Sequence, residues 1–114
     1  MEHIRPAQFQ EWLAQNKNAD PQPLVLDVRE PWEVQTASVV QAEGFELLNI
    51  PMQTIPASLN LLDDDRPIAC LCHHGMRSMS VATFLERQGY TQIANIVGGI
   101  DLWSAEYDPN VPRY

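Results

Sequence analysis

"RPIACLCHHGMRSMSVATFLERQGY", residues 66–90, is the stretch on which the fold turns. Its opening, "RPIACLC", is apolar without alternation, which is how a strand buried on both faces reads. Its close, "SMSVATFLERQGY", reads as a helix, because Val81, Ala82 and Leu85 share one face and Phe84 borders it. Gly89 is a good stop at the C-terminal end of that helix. Between the two, "CHHGMR" turns polar at once. A strand therefore runs through a short loop into a helix N-terminus.

The flanking sequence continues the pattern. "IRPAQFQEWLAQN" reads as a helix with Pro6 at its first position and Phe9, Trp12 and Leu13 on one face, Ile4 being placed to pack back on Phe9. "KNADPQP" breaks it, and "LVLDV" (24–28) is a buried strand. "REPWEVQTASVV" is a short helix with Pro31 at its start. "FELLNI" is a strand stopped by Pro51, "LNLLDDD" closes a short helical segment, and Asp63 to Asp65 form a solvated turn. "TQIANIV" is a further strand, Gly98 and Gly99 a turn, and "IDLWSAEY" a last helix before the extended tail "DPNVPRY". Apolar strands separated by helices imply an α/β fold with a parallel sheet covered on both faces. In such sheets ligands bind beyond the carboxyl ends of the strands, which is where "CHHGMR" falls.

The composition limits what the chain can do. Its 114 residues fit one domain, 1–114, and 45% apolar residues suffice for a core. The net charge of −8 argues against a nucleic-acid or anionic-membrane surface. There is neither a membrane-spanning apolar run nor a secretory start, so the cytoplasm is the expected location. The only cysteines, Cys70 and Cys72, are too close in sequence for an ordinary disulfide.

Three kinds of chemistry compete for the loop. Cys70, Cys72, His73 and His74 are all potential metal ligands, but one short segment cannot easily surround an ion, and no second cluster exists, so no metal and no cofactor is expected. A cysteine can also be a small buried apolar residue, which suits Cys70 in mid-strand. The third reading, which suits Cys72, is a thiolate nucleophile. The N–H groups of a tight loop and the helix end behind it stabilise an anion, Gly75 permits the turn, and Arg77 brings positive charge to the loop mouth. His73 and His74 either donate to an anionic substrate or line the rim.

With "LVLDVREPWE" (24–33), "IACLCHHGMRS" (68–78) and "NIVGGIDLWS" (95–104), the chain resembles a single-domain rhodanese, a sulfurtransferase that carries sulfur as a cysteine persulfide. The tail "DPNVPRY" is also similar to that of bacterial members. The resemblance implies a central parallel sheet of about five strands flanked by helices on both faces. It implies that Cys72 takes up and releases sulfur, and that His73, His74, Gly75, Met76 and Arg77 form the loop around it. Asp27 and Arg29 match the family's Asp-x-Arg and would support the site as a charged pair, with Ser78 beside the loop. The implied substrates are a small anionic sulfur donor such as thiosulfate and an acceptor that is cyanide, a thiol or a protein. One departure stands out: "VQTASVVQAEGFELLNIP" replaces the family's usual Gly-His-Ile-x-Gly-Ala stretch. Cysteine phosphatases and arsenate reductases of related architecture place one residue more between cysteine and arginine than the four found here. They remain the alternative, together with a non-catalytic binding module.

Overall fold

The computed structural model describes all residues from Met1 to Tyr114. A parallel sheet contains β1 (Glu2–Ile4), β2 (Leu24–Asp27), β3 (Glu46–Asn49), β4 (Ile68–Leu71) and β5 (Ile93–Ile96). The spatial order is β1-β5-β4-β2-β3, and every neighbouring pair is parallel. The helices are α1 (Phe9–Gln15), α2 (Pro31–Thr36), α3 (Met76–Arg87) and α4 (Gly99–Glu106), and 3-10 helices cover Pro6–Gln8 and Met52–Leu61. No helix is long and apolar enough to cross a membrane.

The unbroken apolar runs of β2 and β4 follow from a core on each side of the sheet. Val25, Ala69, Leu71, Ala94 and Ile96 pack on one face with Phe9, Trp12, Phe45 and Trp103. Leu24, Leu26, Ile68, Cys70 and Cys72 pack on the other with Ile55, Val81, Ala82 and Leu85. Alternate residues thus serve opposite cores, and neither face of these strands meets water.

The order of the strands places the site. From β2 the chain goes outward to β3, then crosses to β4 on the other side of β2. The carboxyl ends of β2 and β4 therefore flank the point where the winding changes direction, the usual crevice in such sheets. Asp27 ends β2, and Cys72 follows the last residue of β4.

Several boundaries differ from the sequence expectation. Ile4 closes the edge strand β1 instead of opening a helix, and Pro6 begins a 3-10 turn ahead of α1. Ile4 and Phe9 still share one core. A three-residue strand of "EHI" has no apolar run to reveal it, since β1 lies at the edge and buries only Ile4. Helix α3 starts at Met76, so Arg77 belongs to its first turn and not to the loop.

Phe9 anchors the α1/α4 side. Its ring is fully buried and meets Phe45 edge-on at 5.2 Å and Trp103 at 4.8 Å between centroids. Phe9→Ala should lower stability by about 3–5 kcal/mol in urea unfolding. A loss under about 1 kcal/mol would show that this face does not depend on the aromatic cluster.

Candidate active site

Cys72 and Cys70 lie on the same side of β4, yet their surroundings differ. Cys70 is fully buried in mid-strand, and burial pushes its thiol up to about 12. Such full burial suits a packing residue, as expected for a cysteine in mid-strand. Cys72 stands where the strand has ended, and its Sγ accepts the Gly75 N–H at 2.9 Å, with Ser78 Oγ at 3.3 Å. The Ser78 hydroxyl also lies 2.6 Å from Asn95 Oδ1 and 3.2 Å from the Gly75 carbonyl. None of the surface cavities is lined by residues 72–78, and Cys72 is only 1% exposed. The loop closes on the sulfur instead of opening into a cleft.

Two helix starts shape this loop. Gly75 caps α3 with φ of +104°, a conformation that side chains disfavour and that turns its N–H toward Cys72. From the other side, the first free amides of α4 take the loop's carbonyls. Ile100 N–H donates to Cys72 O at 2.8 Å, and Asp101 N–H to His73 O at 3.1 Å. With the carbonyls of Cys72 and His73 held by α4, the loop turns the Gly75 N–H inward onto the sulfur. Gly99 is where the two segments touch. A Cβ there would collide with the backbone carbonyls of Cys72 and His73.

Next to the loop lies a set of paired charges. Arg29 is fully buried, and all five of its N–H groups have acceptors. Nε and Nη2 grip Asp27 at 2.9 and 2.7 Å, Nη2 also reaches Ala37 O, and Nη1 reaches Glu33 O and Tyr114 Oη. Asn49 ties the same corner together by donating to the carbonyls of Asp27 and Arg29, each at 2.9 Å. Asp27 and Arg29 are thus the buried pair expected from the sequence, and they hold the end of β2 against α2.

Arg77 differs from the expectation of a free positive charge at the loop mouth. Both its terminal nitrogens bond Glu33, at 2.8 Å each. This pairing holds the Glu33 carboxyl down at about 2, against the opposing effect of burial. Glu33 is 4% exposed, and it also accepts the Glu30 N–H at the start of α2. An acid at the third position of a helix commonly closes back on the cap in this way. That rule was a signal for its backbone contact, but nothing local pointed to Arg77, 44 residues away.

The remaining loop residues divide clearly. Met76 is 77% exposed and opens α3. The His73 ring stacks on Tyr114 at 3.8 Å, and its Nε2 donates to the Tyr114 carbonyl at 2.9 Å. His74 is exposed, stacks on His73 and lies 3.9 Å from Asp101. Both histidines line the rim. Cys70, Cys72, His73 and His74 do not bring their ligand atoms together into a metal-binding group; the three side chains that do converge are the exposed Asp63, Asp64 and Asp65 in the turn before β4.

The close approach at Gly99 gives a test. Gly44, at φ +96°, has open space around it, so Gly44→Ala reports backbone strain alone, about 1–2 kcal/mol. Gly99→Ala should cost at least about 2 kcal/mol more in thermal or urea unfolding, because its obstruction is backbone that cannot rotate away. Equal costs would show that the loop can yield to α4.

The comparisons with known proteins agree with this geometry. Residues 9–106 match the rhodanese-like domain. The putative sulfurtransferase YtwF of Bacillus subtilis is 35% identical over 97 residues, which cover 85% of this chain and 88% of that protein. The rhodanese-like/PpiC domain-containing protein 12 of Arabidopsis thaliana, a chloroplastic protein, is 37% identical over 90 residues. That alignment covers 79% of this chain, which spans only 30% of the longer relative. A crystal structure of a rhodanese-related protein from Thermoplasma volcanium superposes with a TM-score of 0.76 at 30% identity, covering all of both chains. On its sequence and on its fold, this chain belongs to the rhodanese-like domain family.

Proposed function

We propose that the protein is a sulfurtransferase that carries sulfane sulfur as a persulfide on Cys72. The observation that carries this reading is the environment of Sγ: it sits inside a closed loop, accepting one backbone N–H at 2.9 Å and facing the Ser78 hydroxyl. Such a site favours a sulfur anion at the position of the nucleophile.

The chemistry needs no cofactor. The Cys72 thiolate attacks the outer sulfur of a donor such as thiosulfate. The new S–S bond forms as the old one breaks, and sulfite leaves with the electron pair. The outer sulfur, now the negative end of the persulfide, lies among the loop N–H groups. An acceptor nucleophile then attacks it. With cyanide, thiocyanate leaves and the thiolate returns; a small thiol or a protein thiol acts in the same way and keeps the sulfur as its own persulfide. Asp27 and Arg29 support the site from beneath and touch no reacting atom.

Two observations favour sulfur over phosphate. Four residues separate Cys72 from Arg77, which makes a small ring. Moreover, Arg77 spends its two-pronged hydrogen bonding on Glu33, whereas a phosphate dianion would compete for that same fork. A persulfide bears a single charge and is served by backbone N–H groups alone. The presence of Cys72 weighs against a purely non-catalytic binding module.

The test is turnover of thiosulfate with cyanide, beside hydrolysis of an aryl phosphate. Wild-type protein should transfer sulfur and hydrolyse the phosphate negligibly. Cys72→Ser should lose transfer, and Cys70→Ala should retain most of it. One glycine inserted after Gly75 should cut transfer at least about tenfold, equivalent to ~1.4 kcal/mol in the transition state. An efficient native phosphatase, or an insertion without effect, would move the phosphatase reading to the front.

A further inference from the structure

Tyr114 makes more contacts around the site than its place in an extended, proline-rich tail would suggest. Its ring lies flat on His73, with 7° between the planes, and edge-on to Trp32 at 6.2 Å. Its carbonyl accepts from His73. Its hydroxyl lies 2.9 Å from Arg29 Nη1 and 2.8 Å from Glu33 Oε1. The tail is held in place from behind. Val111 is buried with its carbonyl on Ser104 Oγ, and Arg113 forms two 3.0 Å bonds to Asp101.

The direction of the hydrogen bonds is fixed by chemistry. A guanidinium only donates and a carboxylate only accepts. The Tyr114 hydroxyl must therefore accept from Arg29 and donate to Glu33. It joins the side chains of two ion pairs, Asp27–Arg29 and Glu33–Arg77, which are otherwise linked only by Arg29 Nη1 on the Glu33 backbone carbonyl. It also sets the charge balance at the loop. The same Glu33 oxygen that takes the tyrosine proton takes one prong of Arg77. A donor on Glu33 offsets part of its negative charge and leaves more of the Arg77 field for an anion approaching Cys72.

We propose that Tyr114 is a positioning residue for sulfur transfer, acting through Glu33 on the charge that an anionic donor meets at the mouth of the Cys72 loop. The idea rests on the sulfurtransferase reading. Tyr114 touches no reacting atom; its ring and carbonyl hold His73, and its hydroxyl tunes Glu33. Removing the hydroxyl alone keeps the stack and the carbonyl contact. It leaves Glu33 short of a donor and the buried Arg29 short of its fifth acceptor, so anions should be disfavoured at the site while neutral reagents are not.

The experiment compares wild type, Tyr114→Phe and Tyr114→Ala at a temperature where all are folded. Cys72 is alkylated in parallel with iodoacetate, an anion, and iodoacetamide, its neutral analogue, the modified residue being assigned by peptide mass. The expected result for Tyr114→Phe is an iodoacetate-to-iodoacetamide rate ratio at least about threefold below wild type. KM for thiosulfate should rise by a similar factor with kcat changed less. Glu33→Gln in the Tyr114→Phe background should restore the ratio, since the uncompensated charge is gone. A ratio unchanged in Tyr114→Phe, or both reagents reacting faster in parallel, would overturn the proposal and leave Tyr114 as a simple strap. The alkylation arm needs no sulfur transfer. Wild type that alkylates normally but fails to turn over thiosulfate would therefore sink the functional reading, while the alkylation ratio of Tyr114→Phe would still decide whether Tyr114 sets the charge met by an anion at Cys72.

Discussion

Two amide donors at the start of α4 hold the carbonyls of Cys72 and His73, and the site depends on that contact. A strand that ends in a polar loop has backbone groups to satisfy, and in a closed site water cannot serve them all. Here α4 takes the acceptors. The Gly75 N–H is left over, and it faces the sulfur. Gly75 and Gly99 are both required by this arrangement, one for its left-handed turn and the other because two backbones meet there. The shape of the loop proposed to hold the sulfur anion is thus a consequence of how two helix starts are packed against one strand end.

The charged groups around the loop follow a second constraint. A buried guanidinium is costly unless all its donors are met. Arg29 meets them through Asp27, two α2-region carbonyls and Tyr114, which fixes α2 against the end of β2. Helix α2 in turn presents Glu33 to Arg77. The result is a chain of alternating charges running from the sheet to the rim. Its arginine at the rim is held in one orientation and partly neutralised. A fork already engaged by Glu33 is the feature on which the proposed preference for a persulfide over a phosphate rests.

Much of this was legible in the residues from 66 to 90, because strand, loop and helix are adjacent and each has its own periodicity. Cys72 stood out at the polarity change, and Cys70 read as packing for the opposite reason. The Asp27–Arg29 pair was legible through the resemblance to the family's Asp-x-Arg. What the sequence hid was long-range pairing. Glu33 looks like any acid near a helix start, and Tyr114 like the end of a loose tail; their contact spans 81 positions. Asn95 did leave a trace, as a lone amide inside the apolar strand "IANIV", where a buried polar group requires a partner. That partner, Ser78, comes from another element. Strand β1 was hidden for a different reason: an edge strand of three residues is defined by its neighbour β5, not by its own pattern.

The most direct measurement is the intact mass of the wild-type protein after incubation with thiosulfate and removal of the donor, with fragmentation to locate any added atom. The account requires one added sulfur atom, located on Cys72 and released by a thiol reductant. No added mass on a folded protein, or sulfur located on Cys70, would contradict it.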